Sequence, residues 1–227
     1  MACSTPTIYD FKTLSEQKSF LRKRAKSALK EYCSDQKLME QCALSCLNSV
    51  TKSEIYQNAD FILAFMPLFD EMPIFKILVQ AFLDKKKVLI PKIVENSNEM
   101  EFYFIPEKVF SSVLQKKDFT DSADFKNFFS VQNSFKILEP DSSWQKLDLN
   151  LLPQKSLIFV PGLAFNLEGL RLGRGKGFYD RFLTEIKEKN IVRCGVCFTI
   201  CVTKAIPVEK TDQKVDFLLT EYGLVKC

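Results

Sequence analysis

Five of the chain's seven glycines, Gly162, Gly169, Gly173, Gly175 and Gly177, fall within one short stretch, where Arg171-Leu172-Gly173-Arg174-Gly175-Lys176-Gly177 alternates glycine with cation. A chain this poor in glycine keeps each one for a reason, because glycine costs backbone entropy on folding. Glycine amides can approach an anion closely while guanidinium and ammonium groups neutralise it. A helix beginning near Phe178 would add the positive end of its dipole. The guest that suits this chemistry is a phosphate. The blander alternative, a flexible turn whose cations are only solvated, is weakened because loops leaving the carboxyl end of a buried strand commonly bind ligands.

The widespread phosphate fingerprints do not fit. A Walker A loop would need glycine at position 170 and Ser or Thr after the lysine, where the chain has Leu170 and Gly177; a dinucleotide GxGxxG would need glycine at Phe178. An ordinary P-loop kinase or dehydrogenase is therefore disfavoured. Histidine is missing from the chain, which removes Ser-His-Asp hydrolysis, Cys-His proteolysis and histidine-ligated zinc. Acid–base work then falls to Asp, Glu, Lys, Tyr or Cys. Of the eight cysteines, Cys194 and Cys197 point to opposite faces of a β-like stretch, and Cys42 and Cys46 share a helical face. They suit small core residues better than a metal site.

The 32 basic and 28 acidic residues leave a net charge of +4, too slight a surplus to name nucleic acid as a partner. No apolar run approaches the ~20 residues of a membrane span. The start MACSTPTIYDFK lacks a secretory pattern, so a reducing compartment, the cytoplasm, is expected.

The elements that must carry the loop follow from hydrophobic period. At 227 residues one α/β domain is expected over 1–227, with 1–13 flexible and 107–155 an irregular segment of the same domain. Thr13 and Glu16 have capping-box spacing, followed by Leu21, Ala25, Ala28, Leu29 and Tyr32 at helical intervals, with basic residues on the other face. A second helix spans 36–50. The run 61–66 reads as a buried parallel strand, Pro73 as a first-turn helix proline, and 88–90 as the next buried strand. A strand at 101–105, a helix or two and a short strand at 135–138 follow. Then come a strand at 157–160, the glycine loop, a helix at 178–189, a strand at 191–198 and a final strand at 215–219. Strand alternating with helix predicts an α/β fold with a doubly wound, mainly parallel sheet, Rossmann-like in three layers, whose ligands lie beyond the strands' carboxyl ends.

Residues 160–183, VPGLAFNLEGLRLGRGKGFYDRFL, closely resemble the signature of the 5-formyltetrahydrofolate cyclo-ligase family, also called 5,10-methenyltetrahydrofolate synthetases. The resemblance extends over about 14–93 and 156–221. It implies ATP- and magnesium-dependent cyclisation of 5-formyltetrahydrofolate to 5,10-methenyltetrahydrofolate, with ADP and phosphate released through a phosphorylated formyl intermediate. A monomer acting on small molecules is expected. Carried over by motif, it places Lys18, Ser19, Phe20, Leu21 and Arg22, together with Arg171, Leu172, Gly173, Arg174, Gly175, Lys176, Gly177, Phe178 and Tyr179, at the nucleotide. It places Met66, Glu71 and residues Arg174 to Phe178 at the folate, Arg174 and Lys176 as catalytic groups, and Asp180 and Asp212 at magnesium. Phe178 stands where the family usually has a tyrosine, Asn166 where it has an aspartate, and Pro73-Ile74 replaces a more polar pair. A non-catalytic nucleotide-binding member of the fold is the main alternative, and a nucleic-acid-binding module using the basic first helix a weaker one.

Overall fold

A computed structural model describes residues 7, 10–115, 128–129 and 137–227. The first helix, α1 (Leu14–Tyr32), starts at the expected capping box: the Thr13 hydroxyl accepts from the Glu16 N–H at 3.2 Å and the Glu16 carboxylate accepts from the Thr13 N–H at 3.0 Å. Leu21 and Leu29 are buried as the period requires, whereas Ala28 is exposed. The basic face is not wholly solvated, since Lys18 is only 6% exposed. Asp35 caps α2 (Gln36–Thr51), which buries Cys42, Cys46 and Val50, and the short α3 (Glu54–Gln57) leads into the sheet.

Among the described residues, the further α-helices and strands are β1 (Phe61–Leu63), α4 (Phe75–Leu83), β2 (Lys87–Ile93), β3 (Met100–Phe104), α5 (Glu107–Leu114), β4 (Ser156–Pro161), β5 (Ala164–Phe165), β6 (Arg171–Leu172), α6 (Phe178–Glu185), β7 (Val192–Val196), β8 (Phe217–Thr220) and β9 (Gly223–Lys226). The main sheet runs β3-β2-β1-β4-β7-β8-β9, and β5 and β6 form a separate hairpin. The five inner strands are parallel, while β3 and β9 close the edges antiparallel. Five of the six β4 residues are buried, the mark of a parallel strand covered on both faces. Because β1-α4-β2 and β4-α6-β7 wind in opposite directions along the sheet, right-handed crossovers put their helices on opposite faces. The expected three-layer fold is thus present, and its direction of winding reverses between β1 and β4, where a crevice opens at the strands' carboxyl ends.

Several boundaries differ from the sequence expectation. β1 ends at Leu63, because the chain leaves the ladder after the Ala64 N–H bonds the Leu89 carbonyl at 2.9 Å. Phe65 and Met66 remain buried beyond it. Pro73 lies outside its helix, whose N-cap is Ile74. β2 continues through Pro91, which is tolerated because β1 is paired only as far as Leu89 and Pro91 faces Phe102 of β3. β3 and β8 begin one residue earlier and two residues later than expected, at Met100 and Phe217, and α6 and β7 are shorter. In the irregular segment α5 supplies one helix; of the strand expected at 135–138, residues 135 and 136 lie outside the described residues, and 137–138 are not in a strand. The two-residue β5 and β6 and the edge strand β9 were not anticipated.

Candidate active site

The crevice between β1 and β4 contains a cavity of about 840 Å³. The chain after β1, the glycine loop after β4, the first turn of α6, one face of α1 and the loop before β8 all line it.

The glycine loop is anchored before it reaches the cavity. The β5–β6 pairing sets Phe165 opposite Arg171, and the buried Asn166 side chain closes the intervening turn by accepting from the N–H groups of Glu168 and Leu170 at 3.2 and 2.8 Å. An amide does here what an Asx turn requires, so the usual aspartate is dispensable. Leu172 packs with Leu21, Ala164 and Ile206 in a small cluster. Arg171 is 7% exposed; its NH2 pairs with Asp180 Oδ1 at 2.8 Å and its NH1 donates to the Pro161 carbonyl at 3.2 Å. Arg171 and Leu172 thus border the cavity as anchors that tie β4, the hairpin and α6 together.

Beyond them the backbone turns left-handed at Gly175 (φ 104°) and at Gly177 (φ 68°), the N-cap of α6. A side chain at either position would be strained. At Gly175 a Cβ would also lie 3.3 Å from Arg22 Cζ. That arginine donates from Nε to the Gly173 carbonyl at 2.9 Å, fastening α1 to the loop. The Lys176 side chain is exposed and borders the cavity, and its carbonyl accepts from Arg181 NH2 at 2.7 Å. Arg181 also donates from Nε to the Asn98 carbonyl at 2.7 Å, joining the loop to the β2–β3 turn.

Of the five residues expected to contact nucleotide from α1, Lys18 and Arg22 line the cavity together with Ser15, a spacing that puts all three on one helical face. Ser19 is exposed, Phe20 half-buried and Leu21 buried in the small cluster, and none of the three borders the cavity. The Lys18 ammonium lies 2.7 Å from Asp212 Oδ2 and 3.4 Å from Glu209 Oε1.

On the β1 side, Met66 is 3% exposed and Glu71 nearly enclosed. The Leu68 N–H donates to Glu71 Oε2 at 3.0 Å, and Arg174 Nε donates to Oε1 at 3.0 Å. Burial pushes the Glu71 carboxyl above the usual range, although the Arg174 charge and the Leu68 N–H pull it back. Burial works against the Arg174 charge, but Glu71 and Asp70 more than compensate and raise its pKa further. Asp70 takes the outer guanidinium nitrogens, with NH2 at 2.6 Å and NH1 at 3.3 Å.

Phe178 and Tyr179 complete the wall. The Tyr179 hydroxyl is buried without a partner among the described residues, and burial moves its ionisation upward. Asp180 and Asp212 are brought close in the fold: the Gln213 N–H donates to Asp180 Oδ1 at 3.3 Å. Asp180 uses Oδ1 for both Arg171 and Gln213, and Asp212 uses Oδ2 for both Lys18 and the Glu209 N–H. Among the described residues, the other carboxylate oxygen of each makes no hydrogen bond. Among the described residues no group of three or more Cys, Asp or Glu could hold a metal by itself. This pair suits a cation that takes its remaining ligands from phosphate and water.

Sequence reasoning missed Asp70, which holds Arg174 from outside the cavity lining, and, in the lining itself, Arg181 and the floor formed by Pro91, Ile93, Met100, Ile137 and Glu139. An acid adjoining Glu71 was a visible signal for Asp70. The floor had none, because it depends on how far β2 and β3 run past their neighbours.

The model of the 5-formyltetrahydrofolate cyclo-ligase family matches residues 14–221. The chain belongs to this family. It is similar to the 5-formyltetrahydrofolate cyclo-ligase of Mus musculus, 27% identical over 212 residues that cover 92% of this chain and 96% of that one. It is also similar to a probable 5-formyltetrahydrofolate cyclo-ligase of Schizosaccharomyces pombe, 30% identical over 64% of this chain and 67% of that one. Among solved structures, the 5,10-methenyltetrahydrofolate synthetase of Aquifex aeolicus superposes with a TM-score of 0.67 at 24% identity, covering 92% of both chains, a likeness of fold. The cyclo-ligase family is a family of ligases, and the cavity is the natural place to seek its chemistry.

Proposed function

We propose that the protein catalyses ATP-dependent closure of 5-formyltetrahydrofolate to 5,10-methenyltetrahydrofolate, releasing ADP and phosphate. The observation that carries this reading is the cavity at the winding reversal. Its glycine loop and α1 present cations suited to a nucleotide triphosphate, and its β1 side presents a buried carboxylate among apolar side chains suited to a flat, N–H-bearing ring.

The formyl carbon on N5 is a poor electrophile and its oxygen a poor leaving group. In the proposed reaction the formyl oxygen attacks the γ-phosphorus and the bond to ADP breaks. N10 then attacks the activated carbon, the carbon–oxygen bond breaks, and phosphate leaves with the former formyl oxygen. N10 gives up its proton, which phosphate can accept. Phosphoryl transfer asks the protein chiefly for alignment and charge stabilisation. Lys176 meets the transferring phosphoryl group, Lys18 and Arg22 hold the phosphates from the α1 side, and the glycine-loop backbone allows close approach. Glu71 accepts hydrogen bonds from the folate ring, and Phe65, Met66, Ile93, Met100 and Phe178 enclose that ring and keep water from the activated carbon. Asp180 and Asp212 would hold magnesium, which when bound supplies charge neutralisation on the phosphates.

All seven described cysteines are free thiols, which supports a reducing compartment such as the cytoplasm. No helix among the described residues is long and apolar enough to cross a membrane. The test is the absorbance of the methenyl product from purified protein with 5-formyltetrahydrofolate, ATP and magnesium. Nucleotide binding with no product would instead indicate a non-catalytic member.

A further inference from the structure

Asp70 adjoins Glu71 in the chain and makes the shortest contact to Arg174, 2.6 Å from Oδ1 to NH2. The Asp70 side chain is 11% exposed and that of Arg174 31%, so water reaches the pair mainly from the arginine side. All three guanidinium nitrogens face a carboxylate: Nε donates to Glu71, NH1 and NH2 donate to Asp70, and NH2 also lies 3.0 Å from Glu71 Oε1. An arginine that clamps a phosphate offers a planar fork of donors to it. Here both edges of the fork are turned to the β1 side, and its single positive charge is shared by two acids.

We propose that Asp70 is a positioning residue that keeps Arg174 bound to Glu71 on the folate side of the cavity and withholds it from the nucleotide phosphates. This rests on the reading of the cavity as a joint ATP and folate site. It divides the labour of the cations: Lys176, Lys18 and Arg22 act on phosphate, while Arg174 orients the carboxylate that receives the folate ring. Glu71 needs such a holder because, among the described residues, its other hydrogen bond is from the Leu68 N–H. The consequence is opposite in sign for the two substrates. Without the Asp70 charge, NH1 loses its carboxylate and NH2 keeps only Glu71, so the guanidinium can turn toward phosphate, a negative charge beside it is gone, and nucleotide binds more tightly. Glu71 then loses its fixed orientation, so folate binds less well.

The test uses the whole chain in four forms: wild type, Asp70→Asn, Arg174→Met and the double variant. Magnesium–ATP affinity is measured by calorimetry without folate, and the folate KM by methenyl absorbance. Asp70→Asn is expected to tighten ATP binding roughly threefold to tenfold, the scale of one charge acting across a partly screened cavity. It is also expected to raise the folate KM by about tenfold, the scale of a weakened charge-assisted hydrogen bond. In the Arg174→Met background the ATP gain should vanish, because the two residues act as one unit. Unchanged or weaker ATP binding overturns the proposal, and so does an equal gain without Arg174, which would be bulk electrostatics. Thermal unfolding checks that each variant is folded, with Asp70→Ser as the substitute if the asparagine variant is not. Failure of the wild type to bind ATP or form product would overturn the functional reading itself; wild-type turnover with an indifferent Asp70→Asn would overturn only the role of Asp70.

Discussion

Replacing Arg171 by methionine separates an anchor from a ligand contact. Its guanidinium is almost enclosed, with a side chain 5% exposed, and it pairs with Asp180 at 2.8 Å and with the Pro161 carbonyl at 3.2 Å. Breaking a fully buried pair by removing one partner costs about 3–5 kcal/mol. Asp180 is 20% exposed and keeps the Gln213 N–H, so water recovers part of that, leaving about 3 kcal/mol. The Nε of Arg171 has no partner among the described residues, and removing an unsatisfied buried donor returns about 1 kcal/mol. The net loss is about 2 kcal/mol, which in a chain of this size lowers the unfolding midpoint by roughly 4–8 °C. The assay is thermal unfolding without ligand, paired with ATP affinity measured well below the midpoint, where the change should stay under about threefold because the neighbouring cations are untouched. An unchanged midpoint with ATP affinity reduced by tenfold or more would refute the anchoring role and make Arg171 a nucleotide contact.

Lys176→Met keeps most of the side-chain stem but removes the charge, and kcat should fall by about 10²-fold or more with a smaller change in ATP affinity; wild-type kinetics in the folded variant would remove Lys176 from the chemistry. Burial raises the pKa of Glu71, so its ionised, accepting form is lost as pH falls through a value above the ordinary glutamate range. The folate kcat/KM should therefore decline on the acidic side from a higher pH than a solvent-exposed glutamate would give, and Glu71→Gln should abolish that limb; a limb that persists belongs to another group. Asp212→Ala should shift the magnesium titration of turnover to higher concentration while leaving the folate KM nearly unchanged, and an unaltered titration would place the cation elsewhere.

How much could be read without coordinates differed by element. Where a signal is local it was sufficient: the Thr13–Glu16 box sets the start of α1, and the uninterrupted apolar run of β4 marks a strand covered on both sides. The glycine loop showed itself because φ values such as those of Gly175 and Gly177 can be met cheaply by little else. Ligand contact within KSFLR could be refined only by helical phase, which turns Lys18 and Arg22 inward and Ser19 outward. The short β5, β6 and β9 have too few residues to show a period; Phe165, for instance, is set by pairing with Arg171 and by a bridge to Val202. The Asp70–Arg174 contact joins residues 104 apart in the chain, and no local pattern encodes it.

The central claim is that one cavity activates the formyl oxygen as a phosphate ester before the ring closes. Turnover of 5-formyltetrahydrofolate labelled with ¹⁸O in the formyl group, followed by mass analysis of the released phosphate, tests it directly. The proposed chemistry predicts that each methenyl product formed is matched by one ADP and one phosphate carrying a single ¹⁸O. Unlabelled phosphate, with the heavy oxygen recovered in water, would contradict it.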